Sequence, residues 1–326
     1  MATRARLTVV GENIIDLVPL GDSTRDYRAL PGGSPANIAV AASRLGTPTA
    51  LLARVSTDVF GQRVRERLAA DGVLDTHLVE ATEPSSLAVV TFDTERRASY
   101  GFWLTGTVDW QWSDQELARR LGEDVRAVHV GSIAAYREPG AAAILRMLRR
   151  ERERGAVSIT LDPNVRPEVI GGLDHARERT EELVRLADVV KASDEDLALL
   201  YPDLDHAGAA RQWLALGPSL VVVTRGPNGA LGVGRTAVVE ASAPAIDLVD
   251  TVGAGDTFMG ALLHALDRRD LLGGSARDRL AHLEKETLHE VLTTAAVAAA
   301  LNCAREGADP PNAAELTEAL SNSTPS

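Results

Sequence analysis

Three small residues stand directly before an aspartate where the sequence reads GAGD, and a strongly apolar segment follows them. Small residues leave the backbone bare, so the amide N–H groups of Gly253, Ala254 and Gly255 are free to point at one spot. The apolar spacing from Phe258 onwards predicts a helix at this point. A small-residue turn at a helix N-terminus binds phosphate without needing a lysine. The stretch therefore predicts an anion hole.

Asp256 is the unusual member of this stretch, because a carboxylate beside a phosphate site repels the ligand unless it has a role there. Two roles are available: it caps the helix, or it takes the proton from an attacking hydroxyl. The chain contains no G-x-x-x-x-G-K-[ST], which disfavours a P-loop kinase. The glycines of 226–234 do not form a strand–GxGxxG–helix unit, which disfavours a dinucleotide-binding oxidoreductase.

A second glycine turn near the N-terminus, in PGGSPANIAVAASRLG, has the character of a polyol site. Gly32 and Gly33 lead into a predicted helix, so Asn37 falls in its first turn, where the amide reaches a ligand on the Gly-Gly backbone. Asp16, at the end of an early strand run, is its natural partner. A carboxylate accepts from two adjacent sugar hydroxyls, while an asparagine both donates and accepts.

The elements that position these residues alternate between apolar strands and longer helical patterns. Continuous rather than alternating apolar runs predict strands that are buried on both faces. They occur at 7–11, 49–55, 127–132, 157–164, 187–193 and 219–226. Helical stretches separate them, and several end in glycine. This rhythm predicts an α/β fold, with a doubly wound and mostly parallel sheet flanked by helices.

Two segments depart from that rhythm and predict a small β lid. Residues 86–106 alternate like a strand pair around the charged turn DTERR, and residues 13–33 have strand character interrupted by a polar turn. We expect one domain over 1–326, with a β lid formed from about 13–31 and 86–112.

Composition limits the classes of function. The chain has 326 residues, 45% of them hydrophobic, a formal net charge of -12 and a single cysteine. The acidic balance argues against a nucleic-acid surface, and the lone Cys303 excludes an internal disulfide or a cysteine-based zinc site. No apolar run is long enough for a membrane span, and the first residues lack the plan of a secretory signal. We therefore expect a cytoplasmic protein with no nucleic-acid or membrane partner.

The two glycine motifs together resemble the two signatures of the ribokinase-like (PfkB) carbohydrate kinases, and the resemblance extends over essentially the whole chain. PGGSPANIAVAASRLG stands near the start and DTVGAGDTFMGALL near the end, in the order that this family has. Within the family, the stretches GENIIDLVP, LDPNVRP, VVKASDEDL and VVTRGPNGA are most similar to bacterial fructokinases.

The resemblance implies a role for each matching residue. Asp256 would be the general base for transfer of the γ-phosphoryl of ATP to a primary hydroxyl, with the amides of Gly253–Gly255 as the anion hole. The sugar would be held by Asp16, Gly32, Gly33 and Asn37. The aromatic lid, with Phe102, would close over the sugar and exclude water, which limits hydrolysis of ATP.

The nucleotide and metal roles follow from the same resemblance. Thr224, Gly226 and Gly229 match the turn that contacts ATP. Ser193 and Asp196 stand at the positions of the family's Asn-x-x-Glu motif, which organises Mg²⁺. Because Ser193 and Asp196 replace larger residues, we expect Asp196 to contact Mg²⁺ through water. Asp250 and the carbonyl of Val252 resemble a monovalent-cation site, which predicts activation by K⁺.

The choice of substrate stays open within the family. A fructokinase is the leading hypothesis, and a ribokinase, a 2-keto-3-deoxygluconate kinase or a nucleoside kinase are the alternatives. Arg166 bears on this choice, since an arginine near the sugar favours an acidic substrate. A non-catalytic sugar or nucleotide sensor is a hypothesis of another class, and the intact Asp256 argues against it. Exposed aromatics of the lid such as Phe102 and Trp103 predict a homodimer through the lid.

Overall fold

The computed structural model describes residues 4–21, 25–92, 98–118 and 121–323. In these ranges the strands are numbered in chain order: β1 (Leu7–Val10), β2 (Ile15–Pro19), β3 (Tyr27–Pro31), β4 (Thr49–Leu52), β5 (Arg54–Ser56), β6 (Val79–Ala81), β7 (Leu87–Phe92), β8 (Ala98–Trp103), β9 (Ala127–Gly131), β10 (Ser158–Asp162), β11 (Val189–Ser193), β12 (Leu220–Thr224), β13 (Ala230–Gly234) and β14 (Val238–Ala241).

The helices alternate with these strands through most of the chain. They are α1 (Ser34–Arg44), α2 (Val59–Ala70), α3 (Asp114–Leu117), α4 (Gly140–Arg154), α5 (Pro167–Ile170), α6 (Leu173–Val184), α7 (Asp194–Leu200), α8 (His206–Leu216), α9 (Ala254–Arg268), α10 (Arg277–Ala281), α11 (Lys285–Cys303) and α12 (Ala313–Ser323). None of the helices in the described ranges has the length and apolar character that crossing a bilayer requires.

Eight strands form the central sheet, in the order β14-β13-β12-β11-β10-β9-β1-β4. The pairs from β4 to β12 are parallel, and β13 and β14 add an antiparallel edge. Neighbouring residues of one strand join different hydrophobic clusters: Val190 belongs to one and Val189 to the other. Because successive side chains point to opposite faces, both faces of the sheet are covered. The predicted fold class is confirmed.

The lid is a separate four-stranded sheet with the order β3-β2-β7-β8. Two antiparallel hairpins are joined by the parallel pair of β2 and β7. The predicted charged turn, 93–97, lies outside the described residues. Strand structure ends at Trp103, before the expected boundary at 112, because Trp110 and Trp112 are buried in the main core.

One predicted run is divided in the structure. The segment 49–55 reads as a single strand, but it forms β4 in the central sheet and β5 in a two-stranded sheet with β6. The chain changes partners at Ala53, which is fully buried between them. This change is a tertiary effect that apolar periodicity does not encode.

Candidate active site

A cavity of about 860 Å³ lies where the carboxyl ends of the central strands meet the lid and the N-terminus of α9. Ligands of open α/β sheets bind at this edge. It is lined by Glu12, Ile14, Asp16, Gly33, Ser34, Asn37, Tyr100, Phe102, Ser132, Ile133, Asp162, Asn164, Arg166, Lys191, Ser193, Asp194, Glu195, Asp196, Thr224, Arg225, Gly226, Pro227, Asn228, Thr251, Val252, Gly253, Gly255 and Asp256. The two glycine motifs, far apart in the chain, thus meet in one site.

Asp256 lies half-buried in the first turn of α9, with its carboxylate held by α1. Ser34 Oγ donates to Asp256 Oδ1 at 2.6 Å, and Asn37 Nδ2 donates to Asp256 Oδ2 at 2.8 Å. The residue at the helix N-cap is Gly253, which has no side chain to cap with. The hydrogen bonds of Asp256 therefore orient the carboxylate in the cavity.

Close packing of two helices produces this arrangement. A Cβ built on Gly260 would lie 2.6 Å from Ala41 Cβ and 3.0 Å from the carbonyl oxygen of Ile38. Only glycine allows α9 to approach α1 this closely without strain. The approach sets the N-termini of the two helices side by side, which brings Ser34 and Asn37 to Asp256.

The predicted anion hole is the start of α9. Gly253 has φ 74°, a left-handed conformation that glycine adopts without cost, and a Cβ there would lie 2.6 Å from Ala308 Cβ. The helix begins at Ala254, four residues before the apolar pattern at Phe258. The N–H of Ala254 donates to Thr251 O at 3.2 Å, so this amide is engaged within the turn. Gly253 and Gly255 line the cavity, while Ala254 does not.

The buried Asn302 fixes this turn from behind. Its Nδ2 donates to Val252 O at 2.8 Å, and its Oδ1 accepts from Thr257 Oγ1 at 3.1 Å. The amide therefore links the last residues before the anion hole to the second turn of α9. Sequence reasoning did not single out Asn302, because it lies about 50 residues further along the chain, in α11.

Asp16 and Gly32, the expected sugar-binding residues, form one packed unit. A Cβ on Gly32 would overlap Asp16 Oδ2 and lie 3.2 Å from Asp16 Cγ, so Gly32 leaves the space that the carboxylate fills. Gly32 does not itself line the cavity. Burial raises the pKa of Asp16 to about 6, and the charge of Arg67 opposes that rise.

Asn37 has one free functional atom. Its Oδ1 is buried and has no hydrogen-bond partner among the described residues, while its Nδ2 is bound to Asp256. A buried acceptor without a partner costs free energy, and a ligand hydroxyl would satisfy it. The lid contributes Phe102 and Tyr100 to the same cavity, and their rings stack with centroids 6.1 Å apart.

The predicted nucleotide residues separate into two groups. Thr224 and Gly226 line the cavity, and so do the adjoining Arg225 and Asn228. Gly229 does not: its φ is 78°, and a Cβ there would overlap the carbonyl oxygen of Ala241. Gly229 is thus required by the close approach of β14, whatever the ligand.

The proposed magnesium residues are Ser193 and Asp196, which form a capping box at the start of α7. Asp196 Oδ2 accepts from Ser193 Oγ at 2.8 Å, and Asp196 Oδ1 accepts from Val165 N at 2.8 Å. The residues that the structure describes contain no group of three or more acidic, histidine or cysteine side chains placed to hold a metal ion. Both oxygens of Asp196 being engaged, a metal contact through water fits these residues better than direct ligation.

The oxygens of the expected monovalent-cation site are also engaged. Asp250 Oδ1 accepts from Val252 N at 3.0 Å, and Asp250 Oδ2 accepts from Gly307 N at 2.8 Å. The carbonyl of Val252 accepts from Asn302. Asp250 does not line the cavity. These two residues alone do not form a cage for K⁺, and activation by K⁺ stays a prediction.

Arg166 lies at the cavity wall with an exposed side chain, and its Nη1 donates to the carbonyl oxygen of Val165 at 3.0 Å. Burial raises the pKa of Tyr100 in the lid, and the positive charge of Arg166 opposes that rise. Arg166 thus stands near the boundary between the lid and the main sheet.

Glu12 and Lys191 are two of the cavity residues that sequence reasoning missed. Glu12 follows β1 and accepts from Ala134 N at 3.0 Å, and burial raises its pKa to about 7. Lys191 lies in β11 and donates to Asp162 Oδ2 at 2.7 Å. The signal for Lys191 was available: a lysine interrupts an otherwise apolar run that is predicted to be buried on both faces.

Comparisons with known proteins identify the family of this chain. The pfkB family carbohydrate kinases match residues 4–315 of the chain. A fructokinase of Rhizobium leguminosarum bv. trifolii is 33% identical over 282 residues, which are 85% of this chain and 84% of that protein.

Solved structures of carbohydrate kinases share the overall fold of this chain. The structure of a fructokinase with bound ATP from Xylella fastidiosa has a TM-score of 0.87 at 26% identity, covering 97% of this chain and 98% of that one. A fructokinase from Vibrio cholerae O395, in a form with bound fructose, ADP and calcium ion, has a TM-score of 0.82 at 29% identity, covering 97% and 99%. This chain belongs to the pfkB family of carbohydrate kinases.

Proposed function

We propose that the protein is an ATP-dependent fructokinase, which transfers the γ-phosphoryl group of ATP to a primary hydroxyl of fructose. The observation that carries the proposal is the position of Asp256, whose oriented carboxylate lies in the same cavity as the anion-hole glycines and Asp16. The similarity to fructokinases that bind ATP, or fructose with ADP, supports this substrate pair.

The sugar side of the cavity offers complementary groups for a polyol. Asp16 accepts from adjacent hydroxyls, and the unpartnered Oδ1 of Asn37 accepts from another. Because Asn37 Nδ2 also holds Asp256, the residue that binds the sugar is the one that orients the base. Sugar binding and alignment of the carboxylate are therefore coupled through a single side chain.

The reaction is an in-line displacement. As the sugar oxygen forms its bond to the γ-phosphorus and the bond to the bridging oxygen of ADP breaks, Asp256 takes the proton of the hydroxyl. The N-terminal amides of α9 stabilise the charge of the transferred group, and Gly253 and Gly255 give it access. Most of the acceleration then comes from alignment and charge stabilisation.

ATP binds on the side of the cavity formed by Thr224, Gly226 and their neighbours. We propose that Mg²⁺ accompanies the nucleotide, and that Asp196 would hold it through water. When bound, it neutralises phosphate charge. Neutralisation of the phosphate charge is needed in an acidic protein, since the net charge of -12 repels the nucleotide.

The test is a panel of acceptors with the purified protein, ATP and Mg²⁺, in which ADP release is measured and the phosphorylated product is identified. We expect the highest kcat/KM with fructose and a sugar monophosphate as product. Absence of turnover with every sugar would refute the proposal and favour a sensor.

A second candidate substrate is a sugar acid such as 2-keto-3-deoxygluconate, and Arg166 is the observation that favours it. Its guanidinium stands at the cavity wall and is suited to bind a carboxylate. The panel therefore includes the sugar acid, ribose and a nucleoside. If kcat/KM is higher with the sugar acid than with fructose, and Arg166→Met removes that difference, the sugar acid is the substrate instead of fructose.

We also propose a homodimer that is formed through the lid. Tyr100 and Trp103 on β8 are 44% and 59% exposed, and Tyr27 on β3 is 37% exposed. Aromatic groups left exposed on a thin sheet suit burial against a second copy. Light scattering should give twice the mass of the chain, and a monomer at micromolar concentration would refute the dimer.

A further inference from the structure

Lys191 is a buried charge in the wall of the active-site cavity. It lies in the middle of β11 with 4% of its surface exposed, while its neighbours Val190 and Ala192 are packed in the core. A charged group in such surroundings is costly unless it is paired. Its Nζ donates to Oδ2 of Asp162 at 2.7 Å, and Asp162 is 1% exposed. The ammonium is therefore held in one place.

That place is the underside of the anion hole. A Cβ built on Gly255 would lie 3.3 Å from Lys191 Nζ, so the missing side chain of Gly255 leaves the ammonium close to the turn. Burial acts to lower the pKa of Lys191, but Asp162, Asp196 and Asp256 outweigh it and raise the pKa above its ordinary value. The side chain is charged at neutral pH.

The pair is incomplete as a structural ion pair. An ammonium has three N–H donors, and Asp162 takes one of them. The second oxygen of the carboxylate, Asp162 Oδ1, is buried and has no hydrogen-bond partner among the described residues. A buried pair that serves stability needs its remaining polar groups satisfied, and an apolar pair of similar volume would be as stable. The unsatisfied oxygen shows that the pair is not a complete structural unit, and the free donors of the ammonium point to a ligand that accepts hydrogen bonds.

An anion is the ligand that this position suits. Seven carboxylates line the same cavity, so the phosphate chain of a nucleotide meets substantial negative charge there; they belong to Glu12, Asp16, Asp162, Asp194, Glu195, Asp196 and Asp256. The other cations of the cavity stand apart: Arg225 pairs with Glu240, and Arg166 binds a backbone carbonyl. Lys191 is the cation that the fold places against the amides of the anion hole.

We propose that Lys191 is a catalytic residue that donates to the transferred phosphoryl group from beneath the anion hole, and that Asp162 is a positioning residue that holds its ammonium. The inference rests on the proposed kinase function and assigns a further group to it. In the transfer, the sugar oxygen gains the bond to phosphorus, ADP leaves with the electrons of the broken bond, and Asp256 accepts the proton. Lys191 stays protonated throughout and stabilises charge.

The test replaces the pair rather than the lysine alone, because Lys191→Met would leave Asp162 buried and unpaired. The variant Lys191→Met/Asp162→Asn removes both charges at similar volume. Arg6→Met/Asp267→Asn is the matched control, since Arg6 Nε binds Asp267 Oδ2 at 2.9 Å and neither residue lines the cavity. Thermal unfolding, kcat, the KM for fructose and the affinities for ADP and AMP-PNP are measured for each.

We expect the active-site double variant to stay folded, to lose about 10²-fold in kcat, and to keep its KM for fructose within about threefold. Its preference for AMP-PNP over ADP should fall, because the extra phosphoryl group loses a partner. The control should keep its kcat. Lys191→Arg with Asp162 intact should restore part of the activity, since the charge remains.

Retention of kcat within about threefold in the active-site double variant would overturn the inference, because the pair would then be structural. If the unsubstituted protein phosphorylates no acceptor, the proposed function fails instead. In that case nucleotide binding alone decides the inference: an AMP-PNP preference that is equal in the unsubstituted protein and in the double variant overturns it, and a reduced preference supports it.

Discussion

Substitution of Gly32 by alanine should impair binding of the sugar and leave the nucleotide unaffected. In the structure a Cβ at this position would overlap Asp16 Oδ2, so the carboxylate has to rotate away. The added methyl group displaces the carboxylate of Asp16. The backbone of Asp16 pairs with Leu30 in the lid, which limits how far the side chain can move away. The displaced carboxylate should then lose at least one of its proposed hydrogen bonds to hydroxyls of the substrate.

The magnitude follows from that loss. A hydrogen bond to a charged group contributes about 1.5–3 kcal/mol, and each 1.4 kcal/mol is about tenfold in affinity. Loss of one such bond therefore predicts a KM for fructose raised about 10- to 150-fold. The kcat at saturating fructose should change by less than about threefold, because Asp256 and the start of α9 are untouched.

Steady-state kinetics with fructose varied at saturating ATP, and then ATP varied, measure both effects. Gly122→Ala is the matched control, because a Cβ there meets nothing within 4 Å and the residue has no left-handed φ. A KM for fructose within about threefold of the unsubstituted protein in Gly32→Ala would show that Asp16 does not bind the sugar. If Gly32→Ala raised the KM for ATP and not the KM for fructose, the sugar would not bind beside Asp16.

Three further substitutions or conditions test other parts of the account. Because burial raises the pKa of Asp16 to about 6 and its ionised form is the acceptor, the KM for fructose should rise about tenfold from neutral pH to pH 5. The variant Asp16→Asn should abolish that pH dependence. A KM that does not change with pH in the unsubstituted protein would contradict this role of Asp16. Gly260→Ala should lower the free energy of unfolding in urea by about 1–3 kcal/mol, because the added Cβ would lie 2.6 Å from Ala41 Cβ. This direction is opposite to the usual helix preference for alanine over glycine. An unchanged urea midpoint would mean that α1 and α9 can move apart at no cost. Asn302→Ala should weaken ATP binding about tenfold in calorimetry, because Val252 O and Thr257 Oγ1 lose their shared partner, and equal affinity would show that the turn needs no support.

The central sheet could be predicted from the sequence because its strands are buried on both faces. The runs at 127–132, 187–193 and 219–226 carry that environment in their composition, and the structure places strands within them. The change of partner at Ala53 could not be predicted in this way, because β4 and β5 have the same apolar character in different sheets.

The candidate site likewise contains residues that the sequence predicts and residues that it does not. The glycine motifs mark places where the backbone is bare, and this local context predicts Asp256, Asn37 and Asp16, which all line the cavity. Pairings between distant elements carry no such local mark. Lys191 and Asp162 are 29 residues apart and meet only because β10 and β11 are parallel neighbours.

Gly229 shows the converse error of a local pattern. Its glycine is required where the β12–β13 connection passes Ala241, and not by the cavity. A motif glycine has the same appearance in sequence whether a ligand or another strand approaches it. Only the packed structure separates the two causes.

The central claim is that Asp256 removes the proton of the sugar hydroxyl, and Asp256→Asn tests it most directly. The structure makes this substitution unusually clean. The new amide can accept from Asn37 Nδ2 through its oxygen and donate to Ser34 Oγ through its nitrogen, so both contacts with α1 are kept. The fold and the binding of both substrates should therefore remain close to those of the unsubstituted protein.

The decisive measurement is kcat of Asp256→Asn at saturating fructose and ATP, beside the dissociation constants of the two ligands. Loss of a general base predicts a fall of about 10²- to 10⁴-fold in kcat, with both dissociation constants within about threefold. Turnover within about tenfold of the unsubstituted protein would contradict the account, because the hydroxyl would then lose its proton to another group.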